Sequence, residues 1–112
     1  MKFKTTTREL KKHISAVSRA VDVKPTTPAL QGVYMKALGE FCEFVGSDLD
    51  LVIKSRLKME VLVDGECLIN ARVLSDVVRK LPSGDVVVSD VGSEVKIEAS
   101  KAEYSLRKLD HL

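Results

Sequence analysis

The apolar positions near the start of the chain follow helical spacing. Four of them recur at intervals of four, three and four residues, namely Leu10, Ile14, Val17 and Val21. This spacing predicts one buried stripe along a helix. Thr6 and Glu9 fit a capping box, in which the Thr hydroxyl and the Glu carboxylate each satisfy a backbone amide at the helix start. The segment "VKPTTPAL" (23–30) then places Pro25 and Pro28 where we expect the helix to stop.

The pattern changes to period two after these prolines. "LQGVYMKAL" (30–38) and "FCEFV" (41–45) both alternate like strands. The clearest alternation covers residues 49–63, where odd positions are mostly apolar and even positions mostly polar. It predicts a long antiparallel strand with one buried and one solvated face. Asp64-Gly65 is a strong hairpin signal, and "ECLIN" (66–70) begins the predicted return strand.

A second helix is predicted after this return strand. Asn70 is a favourable N-cap, and Pro82 disfavours helical geometry in the residue before it. The residues between them carry an apolar side, made of Val73, Leu74, Val77, Val78 and Leu81. Three further strand-like segments follow, which are "DVVVS", "SEVKIEA" and "AEYSLRKL".

The order of elements is a strand, a helix and three strands, given twice. This is a repeat of architecture, because the two halves share little identity. Two short helices cannot cover both faces of so much sheet. We therefore predict an α+β fold, with two helices packed on one face of an antiparallel sheet, as a single domain over residues 1–112.

Composition and charge restrict the classes of function. The chain has 112 residues, 45% of them apolar, which suits one domain with one core. The net charge of +2 is distributed unevenly, because residues 1–24 carry seven Lys or Arg against two acids. One end is therefore basic, which suggests a local electrostatic face. The start of the chain, "MKFKTTTREL", has no apolar signal-peptide core, so we expect a cytoplasmic protein.

Candidate catalytic and metal-binding groups are few. His13 and His111 lack partners at ligand or triad spacing, so a structural or surface role is the better interpretation. Asp48 is expected at a turn rather than in a metal site. Cys42 and Cys67 fit no metal or redox spacing and are interpreted as reduced, partly buried thiols. We predict no catalytic residue, no metal and no cofactor.

The remaining candidate site is the polar side of the two helices. On the first helix this side is basic or small, with Arg8, Lys11, Lys12, Ser15 and Arg19. On the second helix it carries Arg72, Asp76, Arg79 and Lys80. Spread cations suit contact with phosphates, which is independent of sequence and sensitive to salt, whereas a simple solvated face is the alternative. Aromatic residues make up only 4% of the chain, so stacking on single-stranded bases is not expected.

Five segments together resemble a known family. They are "MKF", "KPTTPAL" (24–30), "GSDLDL" (46–51), "ARVLSDVVRKLP" (71–82) and "YSLRKLD" (104–110). In this order the chain resembles the first domain of the bacterial DNA polymerase III beta subunit, the sliding clamp. The resemblance implies a subunit of three such domains, and two such subunits join head to tail in a ring around duplex DNA. We then expect the later domains, which this chain lacks, to contact the replicative polymerase and the clamp loader.

The resemblance also implies roles for individual residues. The residues expected to face DNA are Arg8, Lys11, Lys12, Arg19, Lys24, Arg72, Arg79 and Lys80. The last strand is expected to be a sheet edge that pairs with the neighbouring subunit in a head-to-tail contact. Tyr104 and Leu106 match the apolar contact positions of that edge, and Lys101 and Glu103 flank them. A competing hypothesis is a protein-interaction module that uses this edge and has no DNA role.

Overall fold

Two helices lie on one side of a nine-stranded antiparallel sheet in the computed structural model, which describes residues 1–21, 32–48 and 50–109. The elements are β1 (Lys2–Thr6), α1 (Thr7–Ser18), β2 (Gly32–Leu38), β3 (Phe41–Ser47), β4 (Val52–Lys58), β5 (Glu60–Val63), β6 (Gly65–Asn70), α2 (Ala71–Lys80), β7 (Asp85–Val91), β8 (Glu94–Ala99) and β9 (Ala102–Leu109). This arrangement confirms the predicted α+β fold.

The sheet consists of two halves. In each half, the end of the last strand segment pairs with a strand of the other half. Its strand order is β4-β3-β2-β6-β9-β8-β7-β1-β5. β9 pairs with β8 along residues 102–107 and with β6 only at Lys108 and Leu109. The β4–β5 segment behaves equivalently, because β4 pairs with β3 and β5 with β1. The predicted internal repeat is therefore present, with each long strand bridging from its own half to the other half.

The long strand predicted over residues 49–63 is interrupted at Met59. The Met59 amide donates to the Glu40 carbonyl oxygen at 2.9 Å, one position beyond the last β3–β4 pair, Phe41 with Lys58. The segment then changes partner, because the next residues, in β5, pair with β1. Alternation of apolar residues does not reveal such a break, because Met59 keeps its inward position and packs against the core.

The hairpin predicted at Asp64-Gly65 is wrong. β5 and β6 flank this dipeptide but do not pair with each other, since β5 pairs with β1 and β6 with β2. Gly65 instead permits a close approach, because a Cβ added there would lie 2.8 Å from the Met1 nitrogen. Asp64 accepts a hydrogen bond from the Gly39 amide at 3.1 Å. Both residues thus serve contacts between distant parts of the chain rather than a local turn.

The core lies between the helices and the inner face of the sheet. Its largest fully buried side chains include Phe3, Phe44, Leu10, Ile14 and Met35. Aliphatic residues supply most of the remaining core. Among the described residues, no helix has the length and apolarity that crossing a membrane requires.

The two helices end for different reasons. α1 ends at Ser18 with Arg19 as its C-cap, so Pro25 and Pro28 do not determine where it stops, contrary to the prediction. These prolines lie outside the described residues. α2 ends at Lys80, and Leu81 is extended at φ −69° and ψ 137°. This geometry confirms that Pro82 stops α2, because a residue before proline avoids the helical region.

A partly buried ion-pair cluster fixes β1 to β7 and β9. The Met1 ammonium donates to Asp90 Oδ1 at 2.6 Å, and Lys108 Nζ lies 3.3 Å from Asp90 Oδ2. Burial alone would raise the pKa of Asp90, but the hydrogen bond and charge of the Met1 ammonium, together with Lys108, lower it below its usual value. The cluster therefore favours the ionised carboxylate in the folded state.

We expect Asp90→Asn to lower the free energy of unfolding by about 2–3 kcal/mol at pH 7, because the Met1 ammonium loses its counterion. A folded-state pKa that is lowered gives stabilisation above the unfolded pKa of about 3.9. That stabilisation is lost as the pH falls through the folded pKa, so the two proteins should converge in acid. Urea unfolding across this pH range measures the effect.

Asp85→Asn is the matched control for this substitution. Asp85 lies on the same strand, and its 68% exposed side chain is 3.6 Å from Lys4 Nζ. Its removal should cost no more than about 0.5 kcal/mol. Equal losses for the two variants would contradict a stabilising role for the Asp90 cluster.

Candidate nucleic-acid interface

α1 separates an apolar side from a cationic side. Thr6 caps the helix by accepting a hydrogen bond from the Glu9 amide at 3.2 Å, which confirms one half of the predicted capping box. Leu10, Ile14 and Val17 are at most 1% exposed, so they fix the orientation of the helix. The residues opposite them are consequently directed to solvent. The exposed side carries Arg8, Lys12, Ser15 and, at the C-cap, Arg19.

α2 is oriented in the same manner. The Asn70 side chain accepts from the Val73 amide at 3.0 Å and confirms the predicted N-cap. The buried positions are Ala71, Leu74, Val77 and Val78. Val73 was predicted on the apolar side but is 45% exposed. The reason is that α2 turns only a narrow stripe inward, and residue 73 lies at the margin of that stripe.

The two helices pack side by side and run antiparallel. Lys11 near the start of α1 donates to the Leu81 carbonyl oxygen, beyond the end of α2, at 3.4 Å. At the other end of α1, the Ser18 and Ser75 hydroxyls lie 3.3 Å apart. The sheet lies behind both helices. The outer sides of α1 and α2 therefore form one continuous surface, which we call the helix face.

Seven of the eight residues predicted to face DNA fall within the described residues, and all of them lie on α1, α2 or the α1 cap. Six are exposed, and Lys11 is half-buried. Lys24 lies outside the described residues. Arg79 forms an ion pair with Asp76, which offsets its charge. Within the described ranges, five of the six exposed cations have no ion-pair partner, namely Arg8, Lys12, Arg19, Arg72 and Lys80.

His13 links α1 to the sheet. Its Nδ1 is hydrogen-bonded to the Ser55 hydroxyl, and its Nε2 lies 3.6 Å from the Glu9 carboxylate. Its ring also lies 5.8 Å from that of Phe44. These contacts satisfy a half-buried imidazole and support the structural interpretation of His13.

The thiols and acidic residues serve the fold as well. Cys42 and Cys67 are buried and unpaired with each other, and burial raises the pKa of each thiol to about 12. They therefore stay protonated and unreactive near neutral pH. Asp48 accepts hydrogen bonds from the Asp50 and Leu51 amides, both at 2.7 Å, which confirms its predicted turn role. Among the described residues, no group of His, Cys, Asp or Glu is placed to hold a metal ion.

The β9 strand has an open edge over residues 102–107. Its neighbour on one side is β8, and no described strand lies on the other side of these residues. The four predicted contact residues differ in accessibility. Lys101 and Glu103 are exposed, and Glu103 lies 3.3 Å from Lys96 on β8. Tyr104 packs against the core, and Leu106 is only 7% exposed.

The side chain of Leu106 therefore stabilises this domain rather than standing free for a partner. The groups that the open edge offers to another chain are the backbone amides and carbonyls of residues 102–107, together with the exposed side chains around them. The resemblance directed attention to this strand but did not reveal which way its side chains point.

A second open edge was not predicted from the sequence. β4 pairs with β3 on one side only, and within the described residues no strand lies on its other side. Its solvated face carries Lys54, Arg56 and Lys58, and the Arg56 guanidinium lies 3.8 Å above the Phe41 ring. Alternation shows that β4 is a strand, but its position at an edge depends on pairings made by residues far away in the chain.

Comparisons with known proteins identify relatives of this fold. Residues 1–111 match the family model described as DNA polymerase III beta subunit, N-terminal domain. The beta sliding clamp of Bacillus subtilis is 31% identical over 119 residues, covering 98% of this chain and 32% of the relative. That of Synechocystis sp. is 31% identical over 111 residues, covering 91% of this chain and 28% of the relative.

Solved structures agree with these relatives. The C. crescentus beta sliding clamp superposes with a TM-score of 0.92 at 30% identity, covering 97% of this chain and 30% of that one. A sliding clamp from Bartonella birtlesii gives a TM-score of 0.92 at 27% identity, over 97% of this chain and 30% of that one. The chain thus spans about a third or less of the length of these proteins.

Proposed function

The chain belongs to the DNA polymerase III beta subunit family, as its N-terminal domain, and from this premise we propose that it forms part of a sliding clamp. In this role the domain contributes one section of a ring that encircles duplex DNA and keeps the replicative polymerase attached. The helix face is directed to the DNA and the sheet forms the outer wall. We expect no catalysis from this domain, and we expect it to act in the cytoplasm.

The observation that carries this proposal is that α1 and α2 both direct their cations to the helix face. Five exposed cations without an ion-pair partner in the described part of the chain lie on this surface, which is backed by a sheet with open edges. Lys and Arg spread in this way contact phosphates without reading bases, which suits a protein that slides. A ring retains DNA by enclosing it, so tight contacts are unnecessary.

The open edge of β9 supports the second part of the proposal, which is head-to-tail assembly of subunits. An unpaired strand of this length is a template for pairing with another chain. We expect contacts with the polymerase and the clamp loader to lie in parts of the sliding clamp that this chain does not cover. The competing hypothesis is a protein-interaction module. It also uses the β9 edge to bind a partner, but it predicts that the helix face does not bind DNA.

We expect the 112-residue chain to bind a short duplex of random sequence weakly, with a dissociation constant no tighter than about 10⁻⁵ M near physiological salt. Neutralising four cations of the helix face should weaken binding at about 50 mM salt by at least about 30-fold and reduce the salt dependence. The variant combines Arg8→Ala, Lys12→Ala, Arg72→Ala and Lys80→Ala. Fluorescence anisotropy of a labelled duplex measures both quantities.

A matched control removes four cations from the outer face of the sheet. It combines Lys2→Ala, Lys36→Ala, Lys54→Ala and Lys58→Ala, all at exposed positions. This control should lose less than about threefold, because these cations face away from the helices. Equal losses for the two variants would show that binding follows net charge alone and would contradict a DNA-directed helix face.

A further inference from the structure

The outer face of the sheet, which points away from the helices, differs in charge between its two halves. On the half that contains β1 and β7 to β9, opposite charges are paired, with Lys4 3.6 Å from Asp85 and Lys96 3.3 Å from Glu103. On β2 and β4, four exposed cations have no ion-pair partner within the described residues, namely Lys36, Lys54, Arg56 and Lys58. The β2–β4 half therefore carries positive charge that a partner can use.

A pocket of about 260 Å³ lies in this half of the outer face, and we call it the outer pocket. Two adjacent rows of cross-strand neighbours line it. Lys36, Glu43 and Arg56 form the charged row, and Leu38 and Phe41 lie side by side in the next. Small-molecule sites usually have volumes of about 300–1,000 Å³, so the outer pocket suits a single side chain of a partner better than a whole ligand.

The outer pocket joins an apolar wall to a cation that is held in place. Leu38 is 58% exposed, although it is a large aliphatic residue. The Arg56 guanidinium lies 3.8 Å from the centroid of the Phe41 ring. Stacking uses the flat face of the guanidinium and leaves its N–H edges available to a carboxylate. Because the stacked side chain is already ordered, less rotamer freedom is lost when it binds.

Glu43 determines which kind of anion fits the outer pocket. It lies between Lys36 and Arg56 in the charged row, and no ion pair joins these three described side chains. A nucleic-acid backbone is anionic at every step, so Glu43 would repel it. A peptide can instead place separate carboxylates beside the two cations and an apolar side chain against Leu38. The pattern of charge therefore favours an acidic peptide.

We propose that the outer pocket binds an acidic segment of a partner protein, which places one large apolar side chain against Leu38 and Phe41 and a carboxylate on Arg56. Lys54 and Lys58 flank Arg56 on the same face of β4, so acidic residues on both sides of the anchoring side chain meet cations. A strand added to the open edge of β4 would leave this face accessible, because strands pair in the plane of the sheet. The inference concerns the outer wall and goes beyond the proposed role of the helix face.

NMR titration of the isotope-labelled 112-residue chain tests the site with a defined probe. The probe is a pentapeptide with one tryptophan between two pairs of glutamates, and both of its ends are blocked. It should shift the backbone amides of residues 36–43 and 54–58 most. Replacing its tryptophan by alanine should weaken binding by about fivefold or more, because the apolar contact is lost. Replacing its glutamates by lysines should abolish binding.

Arg56→Gln is compared with a matched control, Arg107→Gln. Arg107 is exposed on the outer face of the other half, so both variants remove one positive charge and keep a long polar side chain. Arg56→Gln should weaken binding of the glutamate peptide by about threefold to fivefold. Arg107→Gln should change it by less than about 1.5-fold, because this charge lies far from the outer pocket and is screened.

The outcomes separate this inference from the proposed function. Absence of shifts with the glutamate peptide, or equal losses for the two arginine variants, would overturn the outer pocket and leave the helix face unaffected. A short DNA duplex that shifts residues 36–43 and 54–58 more than α1 and α2 would overturn both, because DNA would then occupy the outer wall. A duplex that shifts α1 and α2, together with a peptide that shifts the outer pocket, would support both.

Discussion

Replacing Gly46 by Ala should lower the free energy of unfolding by about 3 kcal/mol or more, through overpacking beneath α1. A Cβ at this position would lie 1.9 Å from the Val17 carbonyl oxygen and 2.7 Å from its carbon. That carbonyl belongs to the last turn of α1 and accepts a hydrogen bond from the Ala20 amide at 3.1 Å. The methyl group therefore has to displace the helix itself. Chemical unfolding followed by circular dichroism measures the loss.

Gly39→Ala is the control that separates steric overlap from backbone strain. Gly39 has a φ of +66°, and no atom lies within 4 Å of an added Cβ. Its substitution should cost about 1 kcal/mol through the left-handed backbone alone. If Gly46→Ala cost no more than this control, the close contact between α1 and β3 would be disproved. The Gly46 variant should also lose duplex affinity, since α1 carries Arg8 and Lys12 of the helix face.

Leu106→Asp should destabilise the domain by about 5 kcal/mol, because it removes a core side chain and buries a carboxyl group. This loss is comparable with the entire stability of a small domain. The effect should be smallest in acid, since burial favours the protonated carboxyl group. Unfolding curves at several pH values measure it. A stable, folded variant at neutral pH would contradict the buried position of Leu106.

The β9 edge itself requires a substitution that leaves the core intact, and Ser105→Pro meets this need. The Lys108 amide donates to the Ser93 carbonyl oxygen beside β8, so by alternation the Ser105 amide points to the open side. Proline is tolerated where the missing amide faces solvent. This variant should remain within about 1 kcal/mol of the parent and lose concentration-dependent self-association in sedimentation experiments. Unchanged association would argue against pairing through β9.

The sequence predicted those features that depend on nearby residues. Thr6 and Asn70 cap their helices through residues three positions away, and Pro82 acts on the residue before it. Periodicity likewise placed the cations of α1 on the side opposite Leu10 and Ile14. These signals are local, so they can be recognised in a single sequence without comparison to other proteins.

Features that depend on distant partners were not predictable in the same way. The Asp64-Gly65 dipeptide is typical of a hairpin turn. The two strands that flank it nevertheless pair with β1 and β2 and not with each other. The contact of α1 with the end of α2, made by the Lys11 hydrogen bond to the Leu81 carbonyl oxygen, joins two distant segments, and neither segment alone indicates the other. The inward orientation of Leu106 is visible in the alternation of β9, yet resemblance to a family directed attention to its possible role between subunits.

The exchange of strand ends between the two halves has a consequence for folding during synthesis. β1 leaves the ribosome first, but one of its two partners, β7, is made only after most of the chain. The pairing of β6 with β9 is likewise possible only after Lys108 and Leu109, the final residues of β9, have been synthesised. Neither half can complete its hydrogen bonding until β9 has been synthesised. Such non-local pairing slows folding and prolongs the exposure of unpaired strands, so the nascent domain is most vulnerable to aggregation just before its last strand becomes available.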